Sequence, residues 1–421
     1  SSADAFFASS PPPASLHETR GSCASFLAHH GHRPGAPGTR PVALVTSGGT
    51  TAPLERTAVR FIDNFSSGAR GAASAEYLIR AGYAVVFLHR EGSLKPFDRA
   101  LPRIVRGAAE ATRCWGDGSV LGLIRDERSD RPRSEEDRSG SSSPHRGSTL
   151  RFNAGCADAV AAAVAAHRDA AEAGALLCVP FSTVFEYVHS LRALCEELGR
   201  HCGERAMAYL AAAVSDFYVP WAELPEHKIQ SREAPDDEDR EAASGVVLRL
   251  RRVPKMLGLV RSRWCPRAFV VGFKLETDPA LLYRKASDSL RLYALHAVVA
   301  NEMATRRDRA WVASLARTDA TLGATPGSYQ LVERGEDEPD LEERLVDELV
   351  ERHERHVLLH AGGGRGRAAG RASQGMGRRT SPRGHQHRLQ SRVSLVVSRV
   401  RPPSSQRKKK KSVVASPSPS L

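Results

Sequence analysis

Long apolar runs and C-x-x-C cysteine pairs are both missing from this chain of 421 residues. No apolar run approaches the roughly 18 residues of a membrane-spanning helix. The seven cysteines, an odd number scattered from Cys23 to Cys265, include no C-x-x-C pair, which argues against a zinc site or a disulfide framework. The N-terminal stretch lacks the basic flank and long apolar core of a signal peptide. We therefore expect a soluble, cytoplasmic protein in a reducing compartment.

Acidic residues are absent from the end of the chain. Residues 361–421 hold 15 Lys and Arg and no Asp or Glu, while the whole chain has a formal net charge of +13. The first 360 residues therefore carry a formal charge of −2. Because the excess charge lies in the tail, nucleic-acid binding is not expected to be the main activity of the body. A nuclear signal or a nucleic-acid patch within the tail is the alternative.

Apolar segments of strand length alternate with helical patterns through most of the chain. Strands are predicted at residues 42–45, 84–88, 176–179, 208–214, 246–250, 268–273 and 297–300. Helices are predicted at residues 72–80, 157–173, 184–197, 253–264, 279–293 and 340–356. This alternation predicts an α/β fold, a Rossmann-like, mostly parallel sheet flanked by helices. Residues 311–315 and 329–332 predict a small antiparallel edge.

Composition divides the chain into three parts. Residues 1–40 are rich in Ser, Pro, Ala, Gly and His and are predicted to be a flexible N-terminal lead-in. Residues 41–360 form the α/β domain, and residues 361–421 form a basic low-complexity tail. Within the domain, residues 125–147 have almost no apolar content, which predicts a disordered insertion from about 120 to 150. Residues from about 220 to 244 predict a mobile loop.

Two loops of small residues lie near the start of the predicted sheet. The first, residues 46–51, follows a strand, and the second, residues 64–71, leads into a helix that ends near Gly82. Backbone N–H groups in such loops and at a helix N-terminus bind phosphate or carboxylate. Neither loop is a G-x-G-x-x-G fingerprint or a Walker A loop. Ordinary tight turns of an α/β domain would use the same residue types.

Two charged residues lie where a ligand could be contacted, one after a predicted strand and one in a loop. Asp216 comes after the strand at 208–214, where a doubly wound sheet binds its ligands, although an Asp there often caps the next turn. Lys228 lies in a proline-bracketed segment before an acidic stretch, so it could close over a substrate. A solvated surface lysine is the alternative.

A series of motifs gives the chain a specific resemblance. In order they are S-G-G-T at 47–50, P-L-E at 53–55, V-R-F-I-D-N-F-S-S-G at 59–68, A-A-A-V-S-D-F at 211–217, E-H-K-I-Q-S at 226–231, V-P-K-M-L at 253–257, F-K-L-E-T-D at 273–278 and V-V-A-N at 298–301. Over residues 41–95 and 176–355 the chain resembles phosphopantothenate–cysteine ligases of the eukaryotic type. The insertion, the tail and Ala69, which replaces a basic residue, depart from the family pattern.

The resemblance implies a role in coenzyme A biosynthesis. Such enzymes ligate 4′-phosphopantothenate to L-cysteine through an acyl-nucleotidylate, releasing pyrophosphate and nucleoside monophosphate and giving 4′-phosphopantothenoyl-cysteine. The eukaryotic motifs imply ATP as the co-substrate, whereas the bacterial branch uses CTP. The resemblance also implies Mg²⁺ on the triphosphate and a homodimer, with small-molecule substrates and no membrane partner.

The resemblance also assigns roles to residues of this chain. The catalytic positions are Asn64 and Lys228. The nucleotide-binding positions are Gly48, Ser66, Gly68, Gly71, Phe273 and Asn301. The substrate-binding positions are Asn64, Ala212, Ala213 and Asp216. No residue is assigned as a metal ligand.

Two other functions stay open at the level of sequence. A Rossmann-like NAD(P)-dependent oxidoreductase would have an acidic ribose-binding residue at the end of the second strand, where His89 and Arg90 stand instead. A nucleic-acid-binding protein would use the basic tail and would show steep salt dependence.

Overall fold

The computed structural model describes residues 2–31, 39–101, 124–126, 150–152, 154–229, 247–315 and 326–361. Most of the predicted insertion, the predicted mobile loop from residue 230 onward and the basic tail lie outside the described residues. Among the helices that are described, none is both long and apolar enough to span a membrane.

Strands and helices alternate along the described chain. The strands are β1 (Val42–Ser47), β2 (Thr51–Pro53), β3 (Phe61–Asp63), β4 (Ala84–Arg90), β5 (Ile124–Asp126), β6 (Leu150–Phe152), β7 (Leu176–Phe181), β8 (Ala206–Leu210), β9 (Phe217–Tyr218), β10 (Arg251–Arg252), β11 (Phe269–Glu276), β12 (Ala297–Glu302), β13 (Arg309–Leu315) and β14 (Pro326–Glu333). The helices are α1 (Ser2–Ser9), α2 (Leu16–Gly31), α3 (Ala69–Arg80), α4 (Ala154–Glu172), α5 (Val184–His201), α6 (Leu257–Leu259), α7 (Pro279–Tyr293) and α8 (Glu342–Ala361). A π-helical turn, Val260–Trp264, continues α6.

An eight-stranded sheet has the order β14-β13-β12-β11-β8-β1-β4-β7. The six strands from β12 to β7 are parallel, whereas β13 and β14 form an antiparallel edge. The chain first adds strands on one side of β1 and then on the other, so the direction of winding changes between β1 and β8. Ligands of doubly wound folds bind beyond the carboxyl ends of the strands at this point. The predicted α/β fold with an antiparallel edge is confirmed.

Helices cover both faces of the sheet because the side chains of its strands alternate in direction. On β1, Val42 and Leu44 pack into a cluster with side chains of α2, α5 and α7. Ala43 and Val45 face the opposite cluster, which α3 and α8 complete. Burial on both faces explains why β1 is a continuous apolar run.

The N-terminal residues are folded against this core. Phe6 of α1 is 1% exposed and its ring lies 5.6 Å from that of Phe185 and 5.3 Å from that of Tyr218. Arg20 of α2 donates to Glu197 of α5 at 2.7 Å. The prediction of a flexible lead-in over residues 1–40 is therefore wrong for residues 2–31, because apolar side chains in this Ser- and Ala-rich segment reach the core.

Three predicted elements also have different limits. Strand β8 ends at Leu210, since the chain turns there to pair with the loop after β1. No strand covers residues 247–250, which are exposed and have no neighbouring strand, and only β10 pairs with β9. The helix predicted from residue 253 begins at Leu257.

Candidate active site

The loop after β1 is joined directly to the loop after β8. The carbonyl oxygen of Gly48 accepts a hydrogen bond from the amide of Ala213 at 2.8 Å, and the amide of Thr50 donates to the carbonyl of Ala213 at 3.0 Å. The hydroxyl of Thr46 accepts from the amide of Ala212 at 3.1 Å. The structure therefore brings Gly48, Ala212 and Ala213 together at the carboxyl end of the sheet, beside the change in winding direction.

The second loop lies against the same end of β1. The buried hydroxyl of Ser47 donates to the carbonyl of Gly68 at 3.0 Å. Gly71 packs so closely on Ser47 that an added Cβ atom would lie 2.5 Å from the Ser47 Cβ. Gly68 is the N-cap of α3, in a left-handed conformation with a φ of 78°, and provides no side-chain cap. The first turn of α3 therefore presents backbone N–H groups at the end of β1, where the helix dipole favours an anion.

Asn64 follows the short hairpin formed by β2 and β3. Its amide donates to the carbonyl of Thr50 at 3.2 Å, which places it beside the first loop, and its side chain is half-buried. The preceding Asp63 forms an ion pair with Arg90 at the end of β4, at 2.5 Å. Ser66 accepts a longer hydrogen bond, 3.4 Å, from the amide of Gly68. The predicted positions from 64 to 71 thus surround the ends of β1 and β4.

Phe273 and Asn301 lie on adjacent strands and on the same face of the sheet. Phe273 pairs in register with Val299 of β12, two residues before Asn301, and its ring lies 4.8 Å from that of Tyr209. Asn301 is 3% exposed and its Nδ2 donates to the carbonyl of Val299 at 3.3 Å. Its Oδ1 has no hydrogen-bond partner among the described residues. A buried acceptor without a donor costs free energy, which a donor on a bound molecule would offset.

Asp216 is exposed on the β8 side of the site. Its carboxylate accepts from Lys255 at 2.8 Å, and its carbonyl accepts from the amide of Val253 at 2.9 Å. The neighbouring amide of Ser215 donates to the hydroxyl of Thr50 at 2.9 Å, which links Asp216 to the first loop. Sequence analysis missed Lys255 as a site residue, although the V-P-K-M-L motif that contains it was one of the signals.

Lys228 lies on a segment that is tied to the turn between β2 and β3. The amide of Arg56 donates to the carbonyl of Pro225 at 2.8 Å, and that of Thr57 donates to the carbonyl of Glu226 at 3.1 Å. Lys228 itself is exposed. The first part of the predicted mobile loop is thus attached to the hairpin that leads to Asn64.

The basic residue in the first turn of α3 is already paired. Arg70 donates to the carbonyl of Arg306 and lies 3.1 Å from the Glu342 carboxylate. Burial raises the pKa of Glu342, and Arg70 lowers it in part. At the end of β4, burial lowers the pKa of His89, so its imidazole is neutral near pH 7. Neither Arg70 nor His89 therefore provides an unpaired positive charge here.

The described residues contain no group of three or more His, Cys, Asp or Glu that could hold a metal ion. Two carboxylates near the two loops are paired with a cation: Asp63 with Arg90, and Asp216 with Lys255. A divalent ion at this site would depend on oxygens brought by a bound anion.

Comparisons with known proteins show which chains this one is similar to. A family model described as the DNA/pantothenate metabolism flavoprotein C-terminal domain matches residues 40–113 and 155–322. Phosphopantothenate–cysteine ligase 2 of Oryza sativa subsp. japonica is 39% identical over 357 residues, 85% of this chain and 94% of the relative. The Homo sapiens phosphopantothenate–cysteine ligase is 38% identical over 331 residues, 78% of this chain and 91% of the relative.

A solved structure is also similar. It is a histidine-to-alanine variant of Cab2 in complex with phosphopantothenate-cysteine, with a TM-score of 0.64 and 29% sequence identity. The match covers 85% of this chain and 99% of that chain.

Proposed function

Because the chain belongs to the phosphopantothenate–cysteine ligase family, we propose that it joins 4′-phosphopantothenate to L-cysteine in coenzyme A biosynthesis. The chain is a ligase that forms an amide bond, as the resemblance implied. Neither an NAD(P)-dependent oxidoreductase nor a nucleic-acid-binding protein is supported by the comparisons.

The proposed reaction has two steps. A carboxylate oxygen of phosphopantothenate attacks the α-phosphorus of the nucleoside triphosphate, the bond to the β-phosphate oxygen breaks, and pyrophosphate leaves. The deprotonated amine of cysteine then attacks the carbonyl carbon of the acyl-nucleotidylate, and nucleoside monophosphate leaves with the former carboxylate oxygen. Two anions must come together in the first step, so the site must stabilise negative charge before any bond forms.

The junction of the loops after β1 and β8 carries this proposal. Hydrogen bonds of Gly48 and Thr50 with Ala213 join the loop after β1 to the loop after β8, at the point where the sheet changes winding direction. The N-terminus of α3 lies against the same strand end through the contact of Gly71 with Ser47. We assign the phosphates to backbone N–H groups near Gly48, Gly68 and Gly71, with Ser66 as a further donor.

Asn64 and Lys228 are proposed to act on the reacting groups. The side-chain amide of Asn64 can donate to the substrate carboxylate and then to the acyl-nucleotidylate. The hydrogen bond from its backbone N–H to the carbonyl of Thr50 fixes the position of the residue. Lys228 provides a positive charge for the phosphate in the transition state. Arg70, the nearest basic residue of α3, is held by Glu342 and the carbonyl of Arg306. A cation from another segment is therefore required.

The nucleotide base is proposed to bind beside Phe273 and Asn301. The unpaired Oδ1 of Asn301 suits a donor such as an exocyclic amino group. Adenine and cytosine both carry this group, so the contact fits either ATP or CTP. The eukaryotic form of the motifs leads us to propose ATP as the co-substrate.

The pantothenate arm is proposed to bind on the β8 side. Ala212 and Ala213 leave room beside the first loop, and Asp216 can accept from an amide or hydroxyl of the arm. Lys255 holds the carboxylate of Asp216 in place. Mg²⁺ is proposed to bind chiefly to triphosphate oxygens and water, since Asp63 and Asp216 are already paired.

A homodimer is proposed from the exposed apolar residues of the hairpin. Val59, Phe61 and Phe65 are 55%, 50% and 94% exposed, on a segment that also carries Asn64. Exposed apolar patches of this kind mark protein–protein contacts. Light scattering after gel filtration should give twice the mass of the chain, and Phe65→Asp should shift it toward one chain.

Product analysis tests the proposed function directly. Purified protein with phosphopantothenate, cysteine, ATP and Mg²⁺ should give phosphopantothenoyl-cysteine, with one pyrophosphate per product. Omission of phosphopantothenate, ATP or Mg²⁺ should stop pyrophosphate release, whereas omission of cysteine should limit it to about one pyrophosphate per site and give no product. A folded protein that forms no product with either ATP or CTP would contradict the proposal.

A further inference from the structure

A buried carboxylate lies in the turn between β2 and β3. The Glu55 side chain has no solvent-accessible surface, although residues 56–59 around it are exposed. Its Oε2 accepts from the amides of Val59 at 3.3 Å and Arg60 at 2.9 Å. Its Oε1 accepts from the Arg60 guanidinium at 2.9 Å and from the amide of Ile229 at 3.3 Å. One oxygen therefore holds the turn, and the other reaches the segment of Lys228.

The contact with Ile229 is one of several between the same two segments. Arg60 donates to the carbonyl of Ile229 at 3.0 Å. The Glu55–Arg60 pair therefore binds both the backbone N–H and the backbone carbonyl of Ile229. Two backbone hydrogen bonds, from Arg56 to Pro225 and from Thr57 to Glu226, hold the segment on the other side of Lys228. Lys228 therefore lies between two fixed points.

The same hairpin continues to Asn64. Strand β3 pairs with β2 from Phe61 to Asp63, and the amide of Asn64 then donates to Thr50 of the first loop. The hairpin thus connects the position of Asn64 at its base with the segment of Lys228 at its turn.

Electrostatics favour an ionised Glu55. Burial raises the pKa of this carboxyl group, but hydrogen bonds from Arg60, Ile229 and Val59 outweigh burial and leave its pKa below the ordinary value. At neutral pH both oxygens of the carboxylate therefore accept hydrogen bonds. In a protonated carboxyl group one oxygen would carry a hydrogen and act as a donor instead.

We propose that Glu55 is a positioning residue for the first chemical step. It fixes the segment that carries Lys228 on the β2–β3 hairpin and does not itself contact either substrate. This inference rests on the proposed role of Lys228. Glu55 acts on the rate of nucleotidylate formation and leaves nucleotide affinity nearly unchanged, since Lys228 acts mainly in the transition state.

Glu55→Gln replaces one of the two carboxylate oxygens with an NH₂ group. The amide NH₂ group must replace one acceptor, so the variant loses its contacts either to the turn or to Ile229 and the Arg60 guanidinium. We expect single-turnover pyrophosphate release in the full-length enzyme to slow about tenfold, with the ATP dissociation constant changed less than twofold. Arg60→Met removes the other hydrogen bond to Ile229, at its carbonyl oxygen, together with the ion pair to Glu55, and should change the rate in the same direction.

A double-mutant cycle with Lys228→Gln makes the test specific. If Glu55 acts through Lys228, the double variant is no slower in pyrophosphate release than Lys228→Gln alone. If instead the fold-reductions in rate caused by the two single changes multiply in the double variant, the inference is overturned, even with the proposed function intact. Loss of product formation by the unmodified enzyme would instead overturn the proposed function.

Glu197→Gln is the matched control. Glu197 is also a buried carboxylate bound by arginines, Arg20 and Arg200, but it lies near the end of α5, at the amino end of the strands. It should cost stability without slowing pyrophosphate release. Urea unfolding of each variant separates loss of fold from loss of positioning, and Arg60→Met provides the kinetic test if Glu55→Gln does not fold.

Discussion

The backbone of Asn64 packs directly on the α-carbon of Gly49. A Cβ atom added at Gly49 would overlap the carbonyl group of Asn64, with only 2.9 Å to its carbonyl carbon and 3.5 Å to its Cβ. Gly49 itself pairs with Ala213 of the loop after β8. This contact sets how far Asn64 lies from both loops of the proposed site.

Gly49→Ala should therefore move Asn64 and reduce ligation at least tenfold, because misplacement of a reacting group by about 1 Å costs up to about 100-fold. Steady-state rates of product formation measure the effect. Gly21→Ala is the control, since Gly21 lies in α2 with no atom within 4 Å of the added Cβ. That change should keep full activity and stabilise the helix by roughly 0.5–1 kcal/mol. Equal activities of the two variants would show that the contact with Asn64 is unimportant.

Asn64→Asp should bind nucleotide and lose ligation. The substitution keeps the size of the side chain but replaces an amide donor with a carboxylate that repels the substrate carboxylate. Calorimetric titration with ATP should give a dissociation constant within threefold of the original, while product formation falls at least 100-fold. Unchanged turnover would mean that Asn64 does not contact the reacting groups.

Lys255→Met should weaken the binding of phosphopantothenate more than that of ATP. Without Lys255 the carboxylate of Asp216 loses its partner at 2.8 Å and repels the anionic substrate. We expect the KM for phosphopantothenate to rise about fivefold and the KM for ATP to stay within twofold. Lys255→Arg keeps the charge and should restore most of the affinity. A larger change in the KM for ATP would place Asp216 on the nucleotide side.

His353 should make the protein sensitive to acid. It is 1% exposed, its Nε2 lies 3.0 Å from the carbonyl of Glu204 and its Nδ1 lies 2.7 Å from the Tyr83 hydroxyl. Burial lowers the pKa of His353 to about 4 from the ordinary value of 6.5, and that of His296 to about 3. Below pH 6.5 the unfolded chain binds protons that the folded protein does not, so stability falls by up to about 1.4 kcal/mol per pH unit for each group.

Urea unfolding between pH 7.5 and 5.0 measures this dependence. His353→Gln should be less stable at pH 7.5 because it loses hydrogen bonds, but its stability should fall less on acidification. Parallel pH profiles for the two proteins would show that His353 does not titrate in this way.

Phe6→Ala should lower the free energy of unfolding by about 3 kcal/mol, the usual cost of truncating a buried phenylalanine. Its ring packs between Phe185 and Tyr218 at the surface of the sheet core. Leu292→Ala, at a side chain that is 72% exposed, should change the unfolding free energy by less than about 0.5 kcal/mol. A similar small effect for Phe6→Ala would restore the prediction that the N-terminus is loosely attached.

Much of the fold follows from sequence because buried parallel strands are continuous apolar runs. The run at β1 and the segments that became β4, β11 and β12 were found with small errors in their limits. Helix α7 has the limits predicted from the sequence, and Asp278 caps it by accepting from the amide of Ala280 at 2.9 Å. Helix α1 was missed and α2 was expected only as a short helix around residues 22–29, because the composition of this segment resembles a linker.

The site was predicted unevenly for a physical reason. Loop motifs located Gly48, Gly68 and Gly71, but hydrogen bonds between distant segments cannot be read from one stretch of sequence. Lys255 and Glu55 both stood within recognised motifs, yet their partners, Asp216 and Ile229, are 39 and 174 residues away. The roles of the predicted site residues stay predictions until the variants are measured.

Oxygen transfer tests the central claim most directly. Phosphopantothenate labelled with ¹⁸O in its carboxylate should transfer one labelled oxygen to the nucleoside monophosphate in each turnover, because the carboxylate attacks the α-phosphorus. Mass spectrometry of the monophosphate measures this. Label in orthophosphate would show attack at the γ-phosphorus, and an unlabelled monophosphate would contradict the acyl-nucleotidylate.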